Sequence, residues 1–182
     1  MLRAPGASAV FLVLYFLAGA VGMPFWVWLA RRTGKKPAWV AGMLLAVAAF
    51  VWAYALGPGD LVAYGVICVL SGMALGADLA LPPSILADVI DRDARARAGA
   101  AAEGSYFGLW NLVTKANLAA AAGIALPALA WLGYQPGEGG PTGAVSLVYC
   151  LFPCAFKLAS VAALIAWRAP APARARLGLQ GE

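Results

Sequence analysis

Three ionisable side chains, Asp78, Lys115 and Lys157, fall inside long apolar runs. Placing such a charge within a bilayer costs about 2.5–3.5 kcal/mol on insertion scales. The three groups should therefore face one another or water rather than lipid. A carboxylate and an ammonium in that setting can neutralise each other, hold a small cation or proton, or line a polar path for a solute. Asn111 lies four residues before Lys115 and shares its helix face. Thr114 and Asn117 carry the polarity further around the same helix. With no histidine in the chain, imidazole acid–base chemistry is excluded. No nucleophile–base set and no metal or phosphate motif is present, which argues against an enzyme and assigns no catalytic residue, metal or cofactor. Cys68, Cys150 and Cys154 all lie in apolar runs, and two thiols spaced as Cys150 and Cys154 make no zinc site. They read as buried, inert cysteines.

The elements that must position these groups are membrane-spanning helices. Of 182 residues, 63% are hydrophobic and 12% charged, against about half and a quarter in a soluble domain. Mean hydropathy is +0.81. A spanning helix needs about 20 mainly apolar residues, and five stretches qualify: 8–30, 37–56, 61–90, 105–132 and 144–167. The chain is thus expected to be all-α, with a single transmembrane domain over 1–169 and a disordered cytoplasmic tail over 170–182. The first run is too long for a signal-peptide core. Gly, Pro and charge punctuate the runs at RRTGKK, GPGD, DRDARARAGAAAEG and QPGEGGPTG.

The third run is long, about 45 Å if helical, so it must tilt, protrude, or bend or break at Pro82-Pro83. Gly72 and Gly76 form a GxxxG pair that reads as a packing face, and Gly104 and Gly108 repeat the pattern. Trp39, Trp52 and Tyr54 read as interfacial aromatics, serving lipid anchoring or packing.

Depth follows from the helical rise. Asp78 lies about 18 Å from the end of its run at Ile90, and Lys115 about 15 Å from Ser105. Lys157 lies about 15 Å from Trp167. All three sit near the midplane. Asp78 and Lys115, opposite in sign on consecutive antiparallel helices, are the natural pair. They either line a cavity or form a structural ion pair. Lys157 either joins them or snorkels along its stem.

Orientation follows from the basic residues. Ten Lys and Arg, including Arg31, Arg32, Lys35, Lys36, Arg92 and Arg95, fall on one side, and only Arg3 on the other. The positive-inside rule puts the first and third loops and the C-terminus in the cytoplasm and the N-terminus outside. The net charge of +5 is therefore a topology signal and not a nucleic-acid footprint. An odd helix count with an external N-terminus is expected of the C-terminal portion of a longer protein. The basic loop, together with Asp88 and Asp91, is either a solvated, topological feature or an inner gate.

The segments GADLALPPSILADVIDRD and EGSYFGLWNLVTKANLAAAAGIALPALAWLGY resemble the glycoside–pentoside–hexuronide:cation symporters, melibiose-permease-like members of the major facilitator superfamily. MPFWVWLARRTGKKPAW is similar to that family's eighth helix and the basic loop after it. The resemblance implies that the five helices correspond to helices eight to twelve of a twelve-helix transporter in the inner (plasma) membrane. It implies cation-coupled (Na⁺ or H⁺) sugar transport by alternating access. Lys115 then matches the family's intramembrane lysine, and Asp78 lies in the tenth-helix motif with Asp88 and Asp91 at its end. Arg31, Arg32, Lys35 and Lys36 match the cytoplasmic gate loop. The expected substrate and ion path is Asp78, Asn111, Lys115 and Lys157. The family's main cation and sugar contacts lie in an N-terminal half that this sequence does not contain. The alternative expectation is a non-transporting scaffold, or a half-transporter remnant that needs a partner chain.

Overall fold

The computed structural model describes residues 7–56, 60–96, 103–132 and 147–167. These form helices α1 (Ala7–Thr33), α2 (Lys35–Tyr54), α3 (Leu61–Ala96), α4 (Glu103–Trp131) and α5 (Phe152–Ala166). A π-helical turn, Leu147–Leu151, leads directly into α5. Pro153 has no N–H to give the carbonyl of Tyr149, and the wider turn sits where that ordinary bond is lost. No strand occurs among the described residues, and five helices are long and apolar enough to cross a membrane. The expected segment 170–182 and residues 144–146 lie outside the described residues.

The helices begin or end a few residues away from the expected limits, because charged termini continue a helix beyond its apolar run. α1 runs through Arg31 and Arg32, and α2 starts at Lys35, so the expected basic loop contracts to Gly34. Gly34 adopts φ 96° and ψ 154°, a backbone region essentially reserved for glycine. Its N–H closes on the Ala30 carbonyl at 2.9 Å. α3 passes through Pro82-Pro83 without interruption and continues beyond Ile90 to Ala96. No break occurs there. Leu81 and Pro82 are buried, and Leu81 packs with Trp26, Ala38 and Ala77 in the core cluster. That packing holds the helix together across the two missing N–H groups.

The bundle is built around α3, with α1 and α2 laid against it. Gly72 and Gly76 allow backbone-to-backbone approach between α1 and α3. A Cβ on Gly76 would lie 2.7 Å from the Gly19 carbonyl oxygen and 3.0 Å from the Met23 nitrogen, and one on Gly72 would overlap the Tyr15 carbonyl. Trp26, 3% exposed, gives its indole N–H to the Met73 carbonyl at 2.7 Å, so the polar atom of the largest core side chain is satisfied. α5 packs mainly on α2. α4 stands apart: Leu129 is its single buried residue among those described. Its glycines Gly104 and Gly108 meet nothing within 4 Å. The same small-residue pattern therefore builds an interface on α3 and none on α4.

Candidate functional site

Asp78 sits halfway along α3, and its carboxylate is held from two neighbouring helices. Oδ1 accepts a hydrogen bond from the Trp39 indole N–H of α2 at 2.9 Å. Oδ2 pairs with the Lys157 ammonium of α5. The Asp78 and Lys157 side chains are 31% and 23% exposed, so the charges are drawn into the bundle without being sealed. α5 reaches Asp78 by the length of the Lys157 stem, because its backbone lies on α2 and not on α3. The cluster is neutral overall and joins three helices through one carboxylate.

The structure corrects the pairing expected from sequence. Lys115 is exposed on α4, as are Asn111, Thr114 and Asn117. Thr114 returns its hydroxyl to the Trp110 carbonyl one turn back, at 2.8 Å. Lys115 was the natural partner by chain order, but α4 lies too loosely against α3 to bring it to Asp78. Of the four expected path residues, the structure joins Asp78 and Lys157 and leaves Asn111 and Lys115 on a separate face.

A second cluster lies at the basic end of the bundle. Lys35 Nζ bonds Asp88 Oδ1 at 2.7 Å and the Ser84 carbonyl at 3.0 Å. Lys36 Nζ bonds the Trp167 carbonyl at 2.6 Å and lies 3.9 Å from the centroid of that indole. Trp167 is the C-cap of α5, so Lys36 satisfies a carbonyl left free by the helix terminus and places a cation at its negative dipole end. Arg32 lies over Trp28 at 4.5 Å. Of the expected gate residues, Lys35 and Asp88 meet. Arg31 and Asp91 are exposed.

Sequence reasoning missed Trp39, Ser84 and Trp167. Trp39 carried a usable signal: an indole has one N–H, and a tryptophan on a helix neighbouring an acid in an apolar run is a ready donor. At the opposite end, a cavity of about 470 Å³ is lined by Phe11, Tyr15, Phe50, Tyr64, Cys68 and Tyr149 among others. Cys68, Cys150 and Cys154 are free thiols. Among the described residues, no group of three or more His, Cys, Asp or Glu is placed to hold a metal ion.

Long apolar helices, an apolar exterior and an ion pair within the bundle define a multi-pass α-helical membrane protein. Residues 1–170 match the family described as MFS/sugar transport protein, and the chain belongs to that family. It is 27% identical over 128 residues to the sodium-dependent lysophosphatidylcholine symporter 1-A of Danio rerio, covering 69% of this chain and 24% of that protein. It is 31% identical over 128 residues to the sodium-dependent lysophosphatidylcholine symporter 1 of Gallus gallus, covering 68% and 24%. With the sphingosine-1-phosphate transporter MFSD2B of Mus musculus it shares 34% identity over 128 residues, covering 69% and 25%. The chain thus spans about a quarter of the length of the curated relatives it matches. No solved structure matches.

Proposed function

We propose that this chain forms part of a cation-coupled secondary transporter that works by alternating access, with its basic end in the cytoplasm. The observation that carries the proposal is the Asp78–Lys157 pair, held by Trp39 in the middle of the bundle. Such pairs within membranes mark ion and substrate paths. One carboxylate is fully neutralised by one cation. A coupling ion, Na⁺ or H⁺, that reaches Asp78 displaces the Lys157 ammonium, and the freed ammonium repels the bound ion. The loaded and unloaded arrangements therefore exclude one another, and α5 shifts against α3 as the site fills. At the basic end, the Lys35–Asp88 and Lys36–Trp167 contacts tie α2 to α3 and α5. Inward opening requires these ties to part. Asn111 and Lys115, exposed on α4, belong to the polar path on this reading, since an ammonium facing lipid is disfavoured.

The resemblance and the family description favour a glycoside, pentoside or hexuronide substrate. A second reading, an amphiphile of the kind named for the relatives, is favoured by the aromatic and apolar lining of the 470 Å³ cavity. A non-transporting scaffold is the competing role. Uptake of a labelled methyl glycoside and of a labelled lysophospholipid, compared with and without a Na⁺ or H⁺ gradient, tests all three. Cells expressing the chain from its native locus should accumulate one of the two solutes, and cells lacking the locus should not. Lys115→Ala should lower uptake at unchanged expression. Gradient-driven uptake of neither solute overturns the transport reading.

A further inference from the structure

We propose that the basic end of the bundle holds a binding site for the phosphodiester headgroup of an anionic lipid. The site is a cavity of about 360 Å³ where α2, α3 and α5 meet, lined by Lys35, Lys36, Ile85, Asp88, Arg92 and Trp167 among others. That volume lies at the small end of the range for ligand sites, about 300–1,000 Å³. It suits a headgroup.

Charge selects the ligand. Lys35 and Asp88 are bound to each other at 2.7 Å and cancel. Both partners of Lys36, the Trp167 carbonyl and its indole ring, are uncharged, so its positive charge is directed but not neutralised. Arg92 is exposed at the same cavity. Two net positive charges remain, and a phosphodiester offers an anion with several acceptor oxygens, a geometry that guanidinium recognises well.

Position selects a lipid over a free anion. The cavity lies where the apolar run of α3 gives way to its charged end, and Ile85 supplies an apolar wall beside the cations. Trp167 lines the cavity beneath the Lys36 ammonium, the kind of amphipathic ring that sits at membrane interfaces. Basic pockets between transmembrane helices on the cytoplasmic side recognise anionic headgroups in this way. The lipid bridges α2 and α3 beside the Lys35–Asp88 contact and steadies that end of the bundle. This site stands independently of the transport reading.

The full chain in nanodiscs of phosphatidylcholine containing graded phosphatidylglycerol tests the proposal, with retained lipid counted by native mass spectrometry. Phosphatidylglycerol should be retained over phosphatidylcholine by about fivefold or more, and Lys36→Gln and Arg92→Gln should each reduce that preference about fivefold. Because Arg92 is exposed, its variant keeps the test valid if Lys36→Gln disturbs the end of α5. Raised NaCl should weaken retention. Equal retention of the two lipids, or an unchanged preference in both variants, overturns the site. Inorganic phosphate that displaces phosphatidylglycerol at millimolar concentration overturns the assignment to lipid.

Discussion

The ammonium of Lys157 on α5 closes on the carboxylate of Asp78 on α3, across 79 residues of chain. Within a membrane-spanning bundle, either charge alone is disfavoured. Removing one partner leaves the other charge within the apolar bundle without compensation, at a cost of about 3 kcal/mol on insertion scales. Asp78→Asn and Lys157→Met should each lower the thermal midpoint of the chain in nanodiscs. The double variant should recover most of the loss, because a neutral, similarly sized pair needs no compensation. If the two losses simply add, the residues are not energetically coupled. On the transport reading, the double variant should be stable and yet lack gradient-driven uptake.

Trp39 supplies the other hydrogen bond to the same carboxylate. Trp39→Phe keeps an aromatic ring and removes the N–H, which should cost about 1.5 kcal/mol for a bond to a charged acceptor. In the Asp78→Asn background the same change should cost much less, since the acceptor is then neutral. An equal cost in both backgrounds would show that Trp39 acts by packing alone.

The helices were legible in the sequence, because length is a one-dimensional quantity and apolar runs report it directly. Azimuth is not. The helical rise predicts one depth for Asp78, Lys115 and Lys157, but which faces which depends on how α4 and α5 lie around α3. Chain order favoured Lys115; the structure lays α5 on α2 instead and brings in Lys157 by its stem. Gly72–Gly76 and Gly104–Gly108 are identical as patterns, and only the first has a helix against it. Pro82-Pro83 read as a bend or break because local rules count lost N–H groups, whereas the burial of Leu81 against Trp26 is a tertiary fact. Trp39 carried a readable donor, hidden by its equally good role as an interfacial aromatic.

That contrast between glycine pairs makes its own prediction. Gly76→Val forces a side chain into the α1 backbone, where an added Cβ alone would lie 2.7 Å from the Gly19 oxygen. Overpacking of this kind costs about 1–3 kcal/mol. Gly108→Ala enters open space and gains helix propensity, so its effect on the isolated chain should be neutral or slightly stabilising. Thermal unfolding of the two variants in detergent checks the pair. Equal destabilisation would mean that α4 packs more tightly than the structure shows.

The Lys35–Asp88 contact separates stability from access. Its side chains are 35% and 43% exposed, and exposed ion pairs contribute about 0–1 kcal/mol. Lys35→Gln and Asp88→Asn should therefore scarcely shift the unfolding midpoint. If the contact restrains the basic end of α2 against α3, each variant should nonetheless open that end. A reporter cysteine at Ser84→Cys, beside the Lys35 ammonium, should then react faster with a membrane-impermeant thiol reagent applied from that side. The charge exchange Lys35→Asp with Asp88→Lys should bring the rate back toward that of the parent. Unchanged labelling in both single variants would reduce the contact to a solvated ion pair and remove it from the gate.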